Sequence, residues 1–288
     1  MFGHRSDGKV IKNNDPYFKI IPIIMKTRND SQVYFKQDIK LNGMNEYIEK
    51  KAAEGIKVSY MDIIYAALIR VIAMKPQLNR FIMNGRTYQR KGIFISLAIK
   101  KNLTEDGEET TTKNEFTGRE SLMEVKEILD KCIYTNKDQS YDSATDSFVK
   151  FFGRFPVWFY KMVLNSFMFL DKHGLMPKAI IKISPFHTSA FLTNVGSLGI
   201  DAIYHHLYNF GTTSLFLSMG KKKKSYLYED DDIKVEKALT VGFVGDERIC
   251  DGYYFASAFK TLVKILNKPE VLEQPYDPDE EKKAKETK

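Results

Sequence analysis

Asn84-Gly85 stands between two β-prone runs in RFIMNGRTYQRKGIFISLAI. Both residues of such a pair accept positive φ, so it reads as a two-residue hairpin turn joining antiparallel strands. Just upstream, Ser59 and Asp62 form a capping-box pattern, and Ile64, Ala67, Leu68, Val71 and Ile72 keep helical spacing up to Pro76. A core helix that feeds an antiparallel hairpin excludes a strictly doubly wound parallel fold. The spacing instead predicts an α/β chain, in the broad sense α+β, with a mixed β-sheet layered with helices.

The remaining pattern fits that class. Residues 1–30 read as a lead-in, SQVYFKQDI at 31–39 as a strand, Met44 to Glu54 as a charged helix ending at Gly55, and 103–118 as a polar loop. Leu122, Val125, Ile128, Leu129, Cys132 and Ile133 predict an amphipathic helix over 119–134, and a helical, aromatic-rich segment fills 144–172. Strands return at 189–199, 212–220 and 237–248, and a last helix after Gly252 buries Phe255, Phe259, Leu262, Ile265 and Leu266 until Pro269. No linker divides the chain, which reads as one domain over 1–288 with a helical insert at 140–186 and a charged tail at 277–288.

With 43% hydrophobic residues there is enough apolar material for a substantial core. Two cysteines make no disulfide framework, and no secretory leader is visible, so the cytoplasm is the expected compartment. A net charge of +7 favours anionic partners, yet the basic residues form no single stripe. Lys221 to Lys224 is the one tight run and reads as a solvated hairpin turn, with phosphate binding as the alternative. There is no nucleic-acid motif, no metal-ligand spacing and no glycine-rich phosphate loop, so neither nucleic acid nor metal is expected. FPVWFYKMVLNSFMFL at 155–170 is too short to span a bilayer and carries Lys161 and Asn165. It reads first as a core helix or a subunit contact, and otherwise as a segment that lies on a membrane or covers an apolar pocket.

The pieces LTNVGSLG and DERICDG sit in order after strand-like runs, and LNRFIMNGRTYQRKGIFISLAI precedes them. Across 39–102 and 189–272 the chain resembles the chloramphenicol acetyltransferase family and the catalytic domain of 2-oxoacid dehydrogenase acyltransferases. That family's mark is His-x-x-x-Asp-Gly between a strand and a helix, with a strand carrying a hydroxyl residue followed by Asn some fifty residues upstream. The resemblance implies a homotrimer with each active site between subunits, coenzyme A or acyl-coenzyme A as co-substrate, and a small-molecule acyl acceptor bearing a hydroxyl, amine or thiol. It assigns Thr193 to the oxyanion, Glu247 to the general-base position, Asp251 to an ion pair with Arg5, Arg28 or Arg248, Gly252 to a tight turn, and Asn194 to the motif strand.

Glu247 is the departure, since the family has histidine there. A free glutamate lies about 4 units below a thiol and a histidine about 2, so the exchange adds roughly 3 kcal/mol to proton removal, on the order of a hundredfold in rate. His205 and His206 follow the Thr193 strand and are a second source of base if a neighbour's Glu247 approaches them; surface histidines on a loop are the plainer reading. Cys250 reads as a small packing residue. Two functions follow: a coenzyme A-dependent acyltransferase acting alone, since no lipoyl-bearing or subunit-binding segment precedes the domain, or an inactive relative that keeps the trimeric frame as a binding or scaffolding protein.

Overall fold

Asn84 and Gly85 take φ of 51° and 69° and close the hairpin between β3 (Arg80–Met83) and β4 (Arg86–Arg90). In this computed structural model, which describes residues 5–100, 109–137, 147, 151, 154–229 and 232–279, β1 (Gly8–Val10) adds to β4 to make a three-stranded sheet ordered β1-β4-β3. The second sheet is mixed. It contains β2 (Gln32–Lys40), β5 (Ile93–Lys100), β6 (Glu109–Phe116), β7 (Ala190–Asn194), β8 (Leu215–Glu229) and β9 (Asp232–Asp246), in the order β2-β9-β8-β7-β5-β6. Only β5 with β7 and β7 with β8 run parallel.

Helices cover one face of the large sheet. The helices α1 (Pro16–Ile24), α2 (Asn42–Ala53), α3 (Tyr60–Met74), α4 (Leu122–Lys137), α5 (Val157–Lys172), α6 (Lys178–Ile183) and α7 (Gly252–Asn267) follow in chain order. Ser59 and Asp62 complete the capping box of α3, a device that stabilises a helix by about 1 kcal/mol. From Ile63 to Ile72 that helix is buried on every side, between the sheet, α4 and α7. The predicted apolar face of α7 is buried throughout. On the opposite face of the sheet, residues 201–213 run across β8 and β9 and enclose a smaller cluster of Phe191, Leu207, Phe216 and Val244. The approach is close enough that a Cβ at Gly242 would stand 2.6 Å from the Ile203 carbonyl oxygen.

Four sequence expectations change. The stretch expected as a loop at 103–118 contains β6, an edge strand paired with β5 whose inward positions include the buried Thr110 and Thr112, so its alternation carries no aliphatic signal there. The lead-in holds α1, disguised by Pro22 within the helix. Lys221 to Lys224 lie along β8, not in a turn, because β8 and β9 extend well beyond the core as a two-stranded ribbon. There Lys223 pairs with Asp38 at 3.0 Å and Asp201 at 3.4 Å. Finally, α5 is not a core helix: within it only Asp171 is fully buried, and Val157, Trp158 and Phe169 are exposed. Most of the segment before it, 138–153, lies outside the described residues.

Candidate active site

The motif strand and turn are built as expected, but the charged partners are not. β9 ends at Asp246, whose side chain is fully buried; Arg248 grips it with Nε to Oδ1 at 2.8 Å and a terminal nitrogen to Oδ2 at 2.7 Å. Ser31 Oγ donates to the same carboxylate at 3.0 Å, and Arg28 Nε lies 4.0 Å away. Burial pulls the Arg28 pKa down to about 10 although Asp246 opposes the shift. Glu247, between the two clamped residues, is exposed; its backbone N–H donates to the Ser31 carbonyl at 2.9 Å.

In the single chain Asp251 and Gly252 have plain local roles. Asp251 is exposed and caps α7, accepting the Tyr254 N–H at 2.7 Å, and Arg5, Arg28 and Arg248 are all engaged with other acids. Gly252 opens α7 without a positive φ, and a Cβ there would meet nothing within 4 Å, so the turn does not require glycine. Cys250 is buried under the turn, and burial raises its thiol pKa well above the ordinary value. That fits a packing role.

Thr193 is half-buried on the face of β7 that carries Phe191, beneath residues 201–213. Asn194 caps the 3-10 turn Val195–Leu198 through the Ser197 N–H at 3.3 Å. Thr193 is level with Ser218 on β8, and Ser218 with Gly242 on β9, five residues before Glu247. At about 3.3 Å per residue and 4.8 Å per strand, Thr193 and Glu247 of one chain are roughly 20 Å apart. One subunit does not bring them together. His205 stacks on Phe216 at 4.3 Å and on His206 at 4.5 Å, and its Nδ1 bonds the His206 carbonyl at 2.8 Å; these contacts hold the pair against the sheet face.

Beside Arg248 lies a cleft of about 510 Å³, floored by Arg28 and Phe210 and rimmed by Lys26, Lys172, Ile23 and Met168. That volume is in the range of small-ligand sites. Beneath it runs a buried polar network that the letters did not flag. Arg5 binds Asp7 at 2.9 Å and Asp171 at 2.7 Å, His187 Nε2 meets Asp171 Oδ2 at 3.1 Å, and His187 Nδ1 meets Ser184 Oγ at 2.8 Å. Burial pushes the Asp171 pKa up, but His187 and Arg5 outweigh it and hold the carboxyl below its ordinary range; burial likewise holds His187 below 6.5. The one available signal was a lone acid, Asp171, in an apolar helix. GHRSDG, which resembles a shortened family motif, supplies Arg5 and Asp7 to this network; His4 lies outside the described residues.

Residues 183–273 match the 2-oxoacid dehydrogenases acyltransferase (catalytic domain) family. No curated protein sequence matches the chain. Among solved structures, the cubic core of the pyruvate dehydrogenase multienzyme complex superposes with a TM-score of 0.58 at 12% identity, covering 91% of this chain and 94% of that one. A probable dihydrolipoamide acetyltransferase from Listeria monocytogenes gives 0.55 at 15% identity, covering 90% and 94%. Chloramphenicol acetyltransferase gives 0.54 at 13%, covering 90% and 99%. The chain has the acyltransferase-core fold. The resemblance drawn through LTNVGSLG and DERICDG is borne out, since both pieces fall inside the matched region and the superposition covers 90% of the chain. Within the acyltransferase-core fold, the strand-turn-helix that presents Glu247 is intact and the residue it presents is acidic.

Proposed function

We propose that this protein is a coenzyme A-dependent acyltransferase whose active site forms between subunits of a homotrimer, with Glu247 of one subunit facing Thr193 of the next. The observation that carries the reading is the placement of the two residues at opposite ends of the sheet, so that a head-to-tail assembly is needed to pair them. Each end carries exposed apolar side chains suited to such a contact, Tyr253 beside the motif turn and Leu198 and Ile200 just after the Thr193 strand. A heterologous interface of this kind closes into a ring when the rotation is right.

In that site the Glu247 carboxylate accepts the proton of the acceptor's hydroxyl, amine or thiol as the acceptor attacks the thioester carbonyl. The Thr193 hydroxyl donates to the tetrahedral oxyanion, and as the carbonyl re-forms the C–S bond breaks and the departing sulfur takes the proton back from Glu247, releasing coenzyme A as its thiol. The cationic rim of the cleft, Lys26 and Lys172, suits the phosphates of coenzyme A. The acyl group, the acceptor and the cytoplasmic setting belong to this proposal.

A second reading is favoured by Glu247 itself, which has an acid where the family has histidine and is exposed in the subunit. On that reading the protein is an inactive relative that binds or scaffolds. A thermal-shift series with acyl-coenzyme A separates the two, because a ligand that binds the native state alone raises the unfolding temperature. Under the enzyme reading acyl-coenzyme A stabilises the protein, and Glu247→Gln abolishes turnover while keeping the fold. No stabilisation, or unchanged turnover in the variant, sinks it.

A further inference from the structure

The helices α1 and α5 flank the same cleft, Ile23 and Met168 both lining it, and both helices present apolar side chains outward. Ile20, Ile23 and Ile24 are 55%, 63% and 67% exposed, and on α5 Trp158, Met162 and Phe169, which line a second open groove beside the first, are 66%, 51% and 58% exposed. Among the described residues no helix is long and apolar enough to cross a membrane. We propose that these paired faces dock the protein on an anionic membrane surface, with the helices lying in the headgroup region.

The charges around the faces select that occupant. Along residues 16–28 the exposed charged side chains are Lys19 and Lys26. Along 154–182 they are Arg154, Lys161, Lys172, Lys178 and Lys182, and the only acid, Asp171, is buried against Arg5 and His187. Two exposed acids bound α1, Asp15 at its N-cap and Asp30 beyond its end, and both keep their charge while accepting from the Tyr17 N–H and Thr27 Oγ1, so along the two segments seven exposed cations stand against two exposed acids. The chain as a whole has 44 Lys and Arg against 37 Asp and Glu, so this excess of exposed cations is a local arrangement, not the general composition. Apolar side chains bordered mainly by cations match an interfacial helix pair, in which apolar groups enter the acyl boundary and lysines meet anionic headgroups. A soluble partner with a mixed surface would not call for this one-sided charge. The cleft rim, Lys26 and Lys172, is shared with the coenzyme A site of the acyl-transfer reading, but docking is read by vesicle binding without coenzyme A, so either reading can fail alone.

Trp158 is the only tryptophan in the chain and sits on the proposed face, so its emission reports docking directly. The full-length protein is titrated with vesicles of phosphatidylcholine containing phosphatidylglycerol, and with phosphatidylcholine alone, following both emission and co-sedimentation. The expected result is a blue shift and co-sedimentation with the anionic vesicles only, reversed by high salt. Lys161→Glu with Lys178→Glu weakens binding by roughly tenfold or more, and Ile24→Ser with Met162→Ser also loses it. No shift and no co-sedimentation of the wild-type protein at low salt overturns the proposal. So does equal binding to neutral vesicles, or a Trp158 already blue-shifted and shielded from acrylamide in vesicle-free protein, which would assign the face to a second copy of the chain.

Discussion

Arg248 holds Asp246 through two bonds of 2.8 and 2.7 Å, and the residue between them, Glu247, is thereby fixed in backbone but free in side chain. The clamp is buried, and Arg248 also donates to the Met25 carbonyl at 2.9 Å, tying the motif turn to the segment after α1. Removing Arg248 leaves the buried Asp246 with only the Ser31 hydroxyl and the more distant Arg28, 4.0 Å away.

Arg248→Met should therefore destabilise the protein by about 3 kcal/mol or more, whereas Glu247→Gln, on an exposed side chain, should stay within about 0.5 kcal/mol. Urea unfolding of the two variants checks this. Equal effects would mean that Asp246 is not held as described.

Asp251 is a cap, and caps tolerate exchanges that ion pairs do not. Asp251→Ala should cost about 1 kcal/mol, while Asp251→Asn should nearly preserve stability because asparagine accepts the same N–H. A large loss on Asp251→Asn, measured by thermal or urea unfolding, would restore the ion-pair role implied by the family.

The buried network sets the acid response. Burial holds the His187 pKa below 6.5 in the folded state, so below that pH the unfolded chain takes up a proton that the folded one does not, and stability falls as pH drops. Asp7 and Asp171, whose pKa values are held below the carboxylate range, contribute stability above about pH 4 that is lost on further acidification. Stability measured between pH 7 and pH 5 should decline in the wild type. The decline should flatten in His187→Gln; an unchanged slope would remove His187 from the account.

The fold was legible where local chemistry decides it. The Asn84-Gly85 turn, the Ser59-Asp62 capping box and the apolar faces of α3 and α7 form as their letters predict, because each depends on residues within one or two turns of chain. What stayed hidden depends on distant partners. β6 puts threonines, Thr110 and Thr112, at buried positions where aliphatic residues would have marked a strand, and the lysine run belongs to a ribbon whose other strand lies further along the chain. Of the site, the position of Glu247 after β9 and of Thr193 on β7 was readable from motif order. The partners of Asp246 were not, since Ser31 and Arg28 reach it from more than two hundred residues away in sequence.

The central claim is that Glu247 and Thr193, too distant to meet within one chain, meet across an interface. A Glu247→Cys, Thr193→Cys variant, with Cys132 and Cys250 replaced by serine and alanine, can be treated with a bismaleimide spanning about 8 Å, well short of the roughly 20 Å within a subunit. The account predicts covalent dimers and trimers on a denaturing gel, absent from either single-cysteine control. Monomer alone would contradict it.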